Sequence, residues 1–118
     1  MSVAVVKVGT SSITAVSGEL DEAALVKLCT DVAEARREGH QIVLVCSGAI
    51  AAGLPALGLD ARPTSLGMLQ AIAAVGQPRL MERMGAILAG HDLVAGQVLL
   101  TPHDFSQRSQ YLHARETL

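Results

Sequence analysis

The sequence predicts an α/β fold in which a mainly parallel sheet lies between helices, a three-layer αβα sandwich. Three observations lead there. Two apolar runs, VAVVKV from Val3 and IVLVC from Ile42, each stop at a turn containing glycine, as strands buried on both faces do. Apolar residues at helical spacing follow each run, and a strand–helix–strand–helix order calls for parallel pairing. Half of the 118 residues are apolar, which is enough to bury a core in a single domain.

Taken in order, residues 3–9 form the first and central strand. Asp21 is placed to cap a helix over residues 22–38, because Leu25, Leu28, Cys29 and Val32 share one face and Gly39 supplies a stop. Residues 42–46 make the second strand, and AIAAGLPALG continues as a helix in which Pro55 removes a backbone bond and should bend or end it. Residues 64–90 read as one or two helices broken near Gly76 and Pro78; their apolar face suits core packing and a subunit interface equally well. Residues 96–100 read as a third strand and residues 106–118 as a helix. A right-handed crossover sets the carboxyl ends of the first two strands side by side, on the edge where open α/β sheets bind ligands.

Composition narrows the function. Phe105 and Tyr111 are the only aromatic residues, and the formal charge of −2 is spread without a basic stripe. Nucleic acid therefore lacks both its electrostatic track and its stacking platform. Arg36 and Arg37 complement the end of a helix. No membrane span is expected, and with no signal-like start the expected setting is soluble and cytoplasmic. Cys29 and Cys46 sit in apolar patterns and read as core thiols rather than a disulfide. His40, His91, His103 and His113 fall at unrelated spacings, so no metal site is expected.

Two strand ends carry the candidate chemistry. In KVGTSS, Gly9 permits a sharp turn, and Thr10, Ser11 and Ser12 offer amide and hydroxyl donors beside Lys7. That is a phosphate cradle, although GTSS is also ordinary turn composition and Lys7 could snorkel to solvent. A lysine in a buried apolar strand favours the cradle, because it needs an anionic partner. In CSGAIAAG, Ser47 can cap a helix starting at Gly48, with the amides of Gly48 and Ala49 aimed along the positive end of its dipole; the alternative is a plain capping serine. No GxxxxGK, GxGxxG or GxSxG run occurs.

The pairing of VVKVGTSS with VLVCSGAIAAG resembles the amino-acid kinase superfamily. Three further stretches, LQAIAAVGQPRLM, GQVLLT and RSQYLHARETL, are similar in order and spacing to the glutamate 5-kinase family within it, so the resemblance covers essentially the whole chain. The alternatives are a related carbamate, acetylglutamate, aspartate or uridylate kinase, which AVGQPRLM and YLHAR disfavour, and a non-catalytic α/β binding or assembly module. The resemblance implies transfer of phosphate from ATP, with Mg²⁺, to the γ-carboxylate of L-glutamate, the first step of proline synthesis. Lys7 would bind ATP phosphate and stabilise the transferring group, with Gly9, Thr10 and Ser11 as further donors. Ser47, Gly48 and Ala49 would hold the glutamate.

The same resemblance implies that residues 1–118 are the N-terminal part of one kinase domain. The family continues into a segment like INENDTV, a GDND stretch and a later glycine loop bearing a lysine. Without that nucleotide-binding half the chain alone is expected to be inactive, and its unpaired sheet edge predicts a homo-oligomer. Proline feedback would belong to the full-length enzyme. His113 stands where the family has asparagine in YLNAR, and Pro55 lies within a helix; neither touches the two strand ends.

Overall fold

The structure, a computed structural model, describes residues 2–118. Strands β1 (Val3–Val8) and β2 (Gln41–Cys46) pair in parallel, from Val3 opposite Gln41 to Val8 opposite Cys46. Around them lie α1 (Glu22–Arg37), α2 (Ala49–Ala56), α3 (Leu66–Ala89), α4 (Pro102–Ser106) and α5 (Arg108–Thr117), with a 3₁₀ turn at Thr10–Ser12. The α/β class and the parallel pairing are those expected from the sequence.

Helix α1 forms for the reasons its sequence supplies. The Asp21 carboxylate accepts from the Ala24 amide at 3.2 Å, Glu22 occupies the first turn, and Arg36 and Arg37 occupy the last, each complementing the helix dipole. Gly39 turns the chain out at φ +92°. Leu25, Cys29 and Ala33 are buried on one face. An ion pair from Arg83 to Glu22 ties α3 to the start of α1.

Helix α3 runs unbroken for 24 residues through both Gly76 and Pro78. The expected break does not occur, because Gly76 serves an inter-helix contact rather than an interruption. A Cβ on Gly76 would collide with the Ala49 carbonyl oxygen and stand 2.6 Å from the Gly53 amide nitrogen, and one on Gly53 would collide with the Ile72 carbonyl. The backbones of α2 and α3 thus cross almost in contact. Pro78 removes a single bond of the ladder, while Ile72, Leu80, Met84 and Leu88 stay buried. In α2, Pro55 falls next to the last residue, so the lost bond coincides with the helix end; Gly58 then reverses the chain at φ +66°.

The core joins Val8, Ile13, Leu25, Cys29, Ala52, Leu80, Met84 and Leu88, with Leu44 and Cys46 packed against it. Both cysteines are free, Cys29 buried and Cys46 half-buried. Desolvation pushes both thiols above their ordinary range, and proximity to Cys46 adds to the shift at Cys29.

Only one face of the strand pair joins this core. On the other, Val3, Val5 and Val45 are 61%, 66% and 50% exposed, so β1 is not buried on both faces. The described residues build two of the expected three layers, and their Cα envelope of 44 × 37 × 19 Å is correspondingly thin. The third strand expected at 96–100 is absent: residues 93–100 have no regular structure, with Val94 fully exposed. Strand formation there needs a neighbour to supply ladder bonds, and the sheet among the described residues contains only β1 and β2.

Helix α4 went unread in the sequence although its signal was present. Thr101, Pro102 and Asp104 have the spacing of an N-terminal cap with proline at the first helical position. The Asp104 carboxylate accepts from the Thr101 amide at 2.6 Å and from its hydroxyl at 2.9 Å. These bonds, the backbone one foremost, hold the Asp104 carboxyl below its usual range.

Candidate functional site

The carboxyl ends of β1 and β2 lie side by side. Val8 pairs with Cys46, and the Ser47 amide extends the ladder by donating to the Val8 carbonyl at 3.2 Å. Gly9 and Ser47 therefore open adjacent turns on one edge, the placement expected from the βαβ order.

The first turn is a donor surface. Its first internal bond runs from the Ser12 amide to the Gly9 carbonyl at 3.0 Å, and the amides of Thr10 and Ser11 have no acceptor among the described residues. Gly9 adopts φ −74°, ψ 158°, which any residue can reach, so the sharp-turn reason for glycine does not hold. A Cβ there would meet nothing within 4 Å. What Gly9 provides is an uncovered backbone that a ligand can approach.

Lys7 projects at this rim. It is exposed rather than buried in its strand, and it joins no ion pair among the described residues. The burial cost that argued for an anionic partner is therefore not incurred, and the case for Lys7 rests on position. Its side chain lines an open groove of about 250 Å³ with Ser12, Ile13, Lys27 and Asp31. Lys27 is already held by Asp31 at 2.8 Å, a bond that raises its ammonium above the ordinary lysine range. Lys7 is the cation of this groove left without a carboxylate.

The second turn differs from the sequence reading by one residue. Ser47 does not cap α2; the cap is Gly48, at φ 121°, and the helix starts at Ala49. Its first bond joins the Ala52 amide to the Gly48 carbonyl at 3.0 Å, so the amides of Ala49, Ile50 and Ala51 have no acceptor among the described residues. Because the backbone swings at Gly48, the exposed Ser47 hydroxyl stands off the helix and has no hydrogen bond among the described residues. Gly48 is buried, and a Cβ on it would lie 2.8 Å from Ile13 Cδ1. Left-handed backbone and close contact together require glycine there.

A second cavity, of about 190 Å³, adjoins both turns and was not foreseen. Thr10, Thr14, Ser17, Ile50, Asp60 and Arg62 are among the residues lining it. The sequence signal was two opposite charges, Asp60 and Arg62, in a loop where neither belongs to a helical face.

The four histidines do not converge: the Arg37 guanidinium donates to His91 Nδ1 at 3.3 Å, and Ser2 Oγ lies 2.8 Å from His40 Nδ1. Among the described residues no three His, Cys, Asp or Glu side chains are grouped to hold a metal ion, and no helix is long and apolar enough to cross a membrane.

A parallel α/β pair thus carries two donor-lined turns at one edge, one of them beside an exposed lysine that has no ion-pair partner among the described residues. Residues 2–118 match the model of the amino acid kinase family, and the chain belongs to that family. Within it, the chain is 46% identical to the glutamate 5-kinase of Thermobifida fusca over 114 residues, 97% of this chain and 29% of that protein. It is 47% identical to the glutamate 5-kinase of Thermus thermophilus and 45% identical to that of Pelobacter propionicus, covering 97% of this chain in both cases. The chain spans 30% and 31% of those two proteins.

Proposed function

We propose that this chain is the N-terminal part of a kinase domain that transfers the γ-phosphoryl group of ATP to the γ-carboxylate of L-glutamate, the first step of proline synthesis. The observation that carries the reading is the adjacency of the Lys7–Gly9 rim and the Ser47–Ala49 turn across the Val8–Cys46 pair. Similarity to glutamate 5-kinases supports the choice of substrates.

A glutamate carboxylate oxygen attacks the γ-phosphorus, a new O–P bond forms, and the bond to the β-phosphate oxygen breaks to release ADP. Two anions must approach, so the protein's task is positioning and neutralisation. Lys7, with the Gly9, Thr10 and Ser11 backbone and hydroxyls, takes the ATP phosphates. Ser47, Gly48 and Ala49 hold the γ-carboxylate on a hydroxyl and the free amides of α2. Mg²⁺ would accompany the nucleotide and neutralise charge on the phosphates.

The test is a chimera in which residues 2–118 replace the matching stretch of the Thermobifida fusca relative. It is expected to form γ-glutamyl phosphate, trapped by hydroxylamine, only with ATP, Mg²⁺ and L-glutamate together, and to be inhibited by L-proline. The 118-residue chain alone should be inactive. A folded chimera that makes no hydroxamate would remove the reading.

We propose a cytoplasmic setting, and a homo-oligomeric state for this chain because the open valine face and free strand edges favour association. Sedimentation velocity should give a particle larger than the 12.2 kDa chain; a single monomeric species would contradict this.

A further inference from the structure

We infer that Lys27 is a second phosphate contact in the groove that Lys7 lines, and that Asp31 competes with the anion for its ammonium. The inference rests on the reading that Lys7 receives the ATP phosphates, and it adds residues of α1 to a site so far built from strand ends alone.

The groove has two walls. Lys7 and Ser12 stand on β1 and the turn after it, while Ala24, Lys27, Leu28 and Asp31 stand on α1. Positions 24, 27, 28 and 31 follow the i, i+3, i+4, i+7 spacing of a single helix face, so α1 presents one stripe to the groove. The two walls are tied together. The Asp21 amide, at the cap of α1, donates to the Ile13 carbonyl at 2.8 Å, and Leu25 and Ile13 are buried in the same core. An anion on the Lys7 side therefore faces α1 across a space of about 250 Å³.

Lys27 is the residue of that stripe able to answer a phosphate. Its ammonium donates to Asp31 Oδ2 at 2.8 Å, and the two side chains are 77% and 56% exposed. An exposed pair one helical turn apart is weak, because water screens it and two long side chains must be ordered to make it. A phosphate chain carries several negative charges and accepts charge-assisted bonds, against the single charge of a carboxylate. Turning the flexible Lys27 stem from Asp31 to such an anion therefore loses little and gains more. Asp31 also offsets the repulsion between two ammonium groups lining one groove, so its removal should leave the groove more attractive to anions.

The experiment is an NMR titration of this chain with inorganic tripolyphosphate at low ionic strength, where charge contacts are least screened. The amides of Thr10, Ser11, Ser12 and Lys27 are expected to shift together. Lys27→Gln, which preserves helix propensity, should weaken binding by about fivefold or more, and Lys27→Arg should restore most of it. Asp31→Asn should tighten binding by about twofold, and that gain should vanish when it is combined with Lys27→Gln. An affinity unchanged in Lys27→Gln, or an Asp31→Asn gain that persists without Lys27, would overturn the inference. Loss of binding in Lys7→Ala would then still leave the phosphate reading standing. Tripolyphosphate binding that is indifferent to Lys7→Ala, or absent altogether, would count against both.

Discussion

In the chimera, Lys7→Ala is expected to lower kcat by about a hundredfold or more, with little change in stability. Loss of one well-placed donor to developing charge typically costs about 3 kcal/mol of transition-state stabilisation. Folding should be nearly indifferent, because Lys7 is exposed and contributes no ion pair among the described residues; surface changes of that kind fall within about 0.5 kcal/mol. Lys7→Arg should recover only part of the rate, since a planar fork does not reproduce a compact ammonium. Steady-state kinetics beside urea unfolding separates the two quantities. Wild-type turnover in Lys7→Ala would remove Lys7 from the chemistry, and a large loss of stability would make it a structural residue.

Gly76→Ala is expected to destabilise the fold by about 2 kcal/mol or more. In an unconstrained helix the same change would gain up to about 1 kcal/mol through helix propensity. Here the new methyl group would overlap the Ala49 carbonyl and crowd the Gly53 amide, so α2 must move away from α3. Overlap of backbone against backbone cannot be relieved by a rotamer change, which is why it outweighs the propensity gain. Gly85→Ala provides the contrast within the same helix, because a Cβ at that site meets nothing within 4 Å; it should raise the urea midpoint. Equal midpoints for the two variants would show that the helices do not cross as described. The displacement in Gly76→Ala also acts on Ala49, so the affinity for L-glutamate should fall along with stability.

The legible parts of the fold were those decided locally. Asp21 and Gly39 bracket α1 as their chemistry requires, and the apolar runs of β1 and β2 sit in parallel as their connection demands. Residues 96–100 failed for the opposite reason, because a strand exists only by virtue of its neighbour, and their apolar run could not report whether one was present. Gly76 and Pro78 were misread because punctuation in sequence carries no information about a partner helix; the space that makes Gly76 necessary belongs to α2. At the site, the adjacency of the two turns could be read from topology alone. The identity of the α2 cap could not, since Ser47 and Gly48 are both competent caps, and the close approach of Ile13, thirty-five positions earlier, that makes glycine necessary at 48 leaves no mark in the local sequence. Asp60 and Arg62 were invisible as a pair until the turn at Gly58 brought them beside Thr10.

That contact between Ile13 and Gly48 has a mechanical result. Ile13 closes the 3₁₀ turn through its amide, accepts from Asp21 through its carbonyl, and fills the space under Gly48 with its side chain. The turns that follow β1 and β2 are therefore fastened to one buried residue. On the proposed reading, this shared anchor under both turns would fix the distance between the two negative groups that they hold.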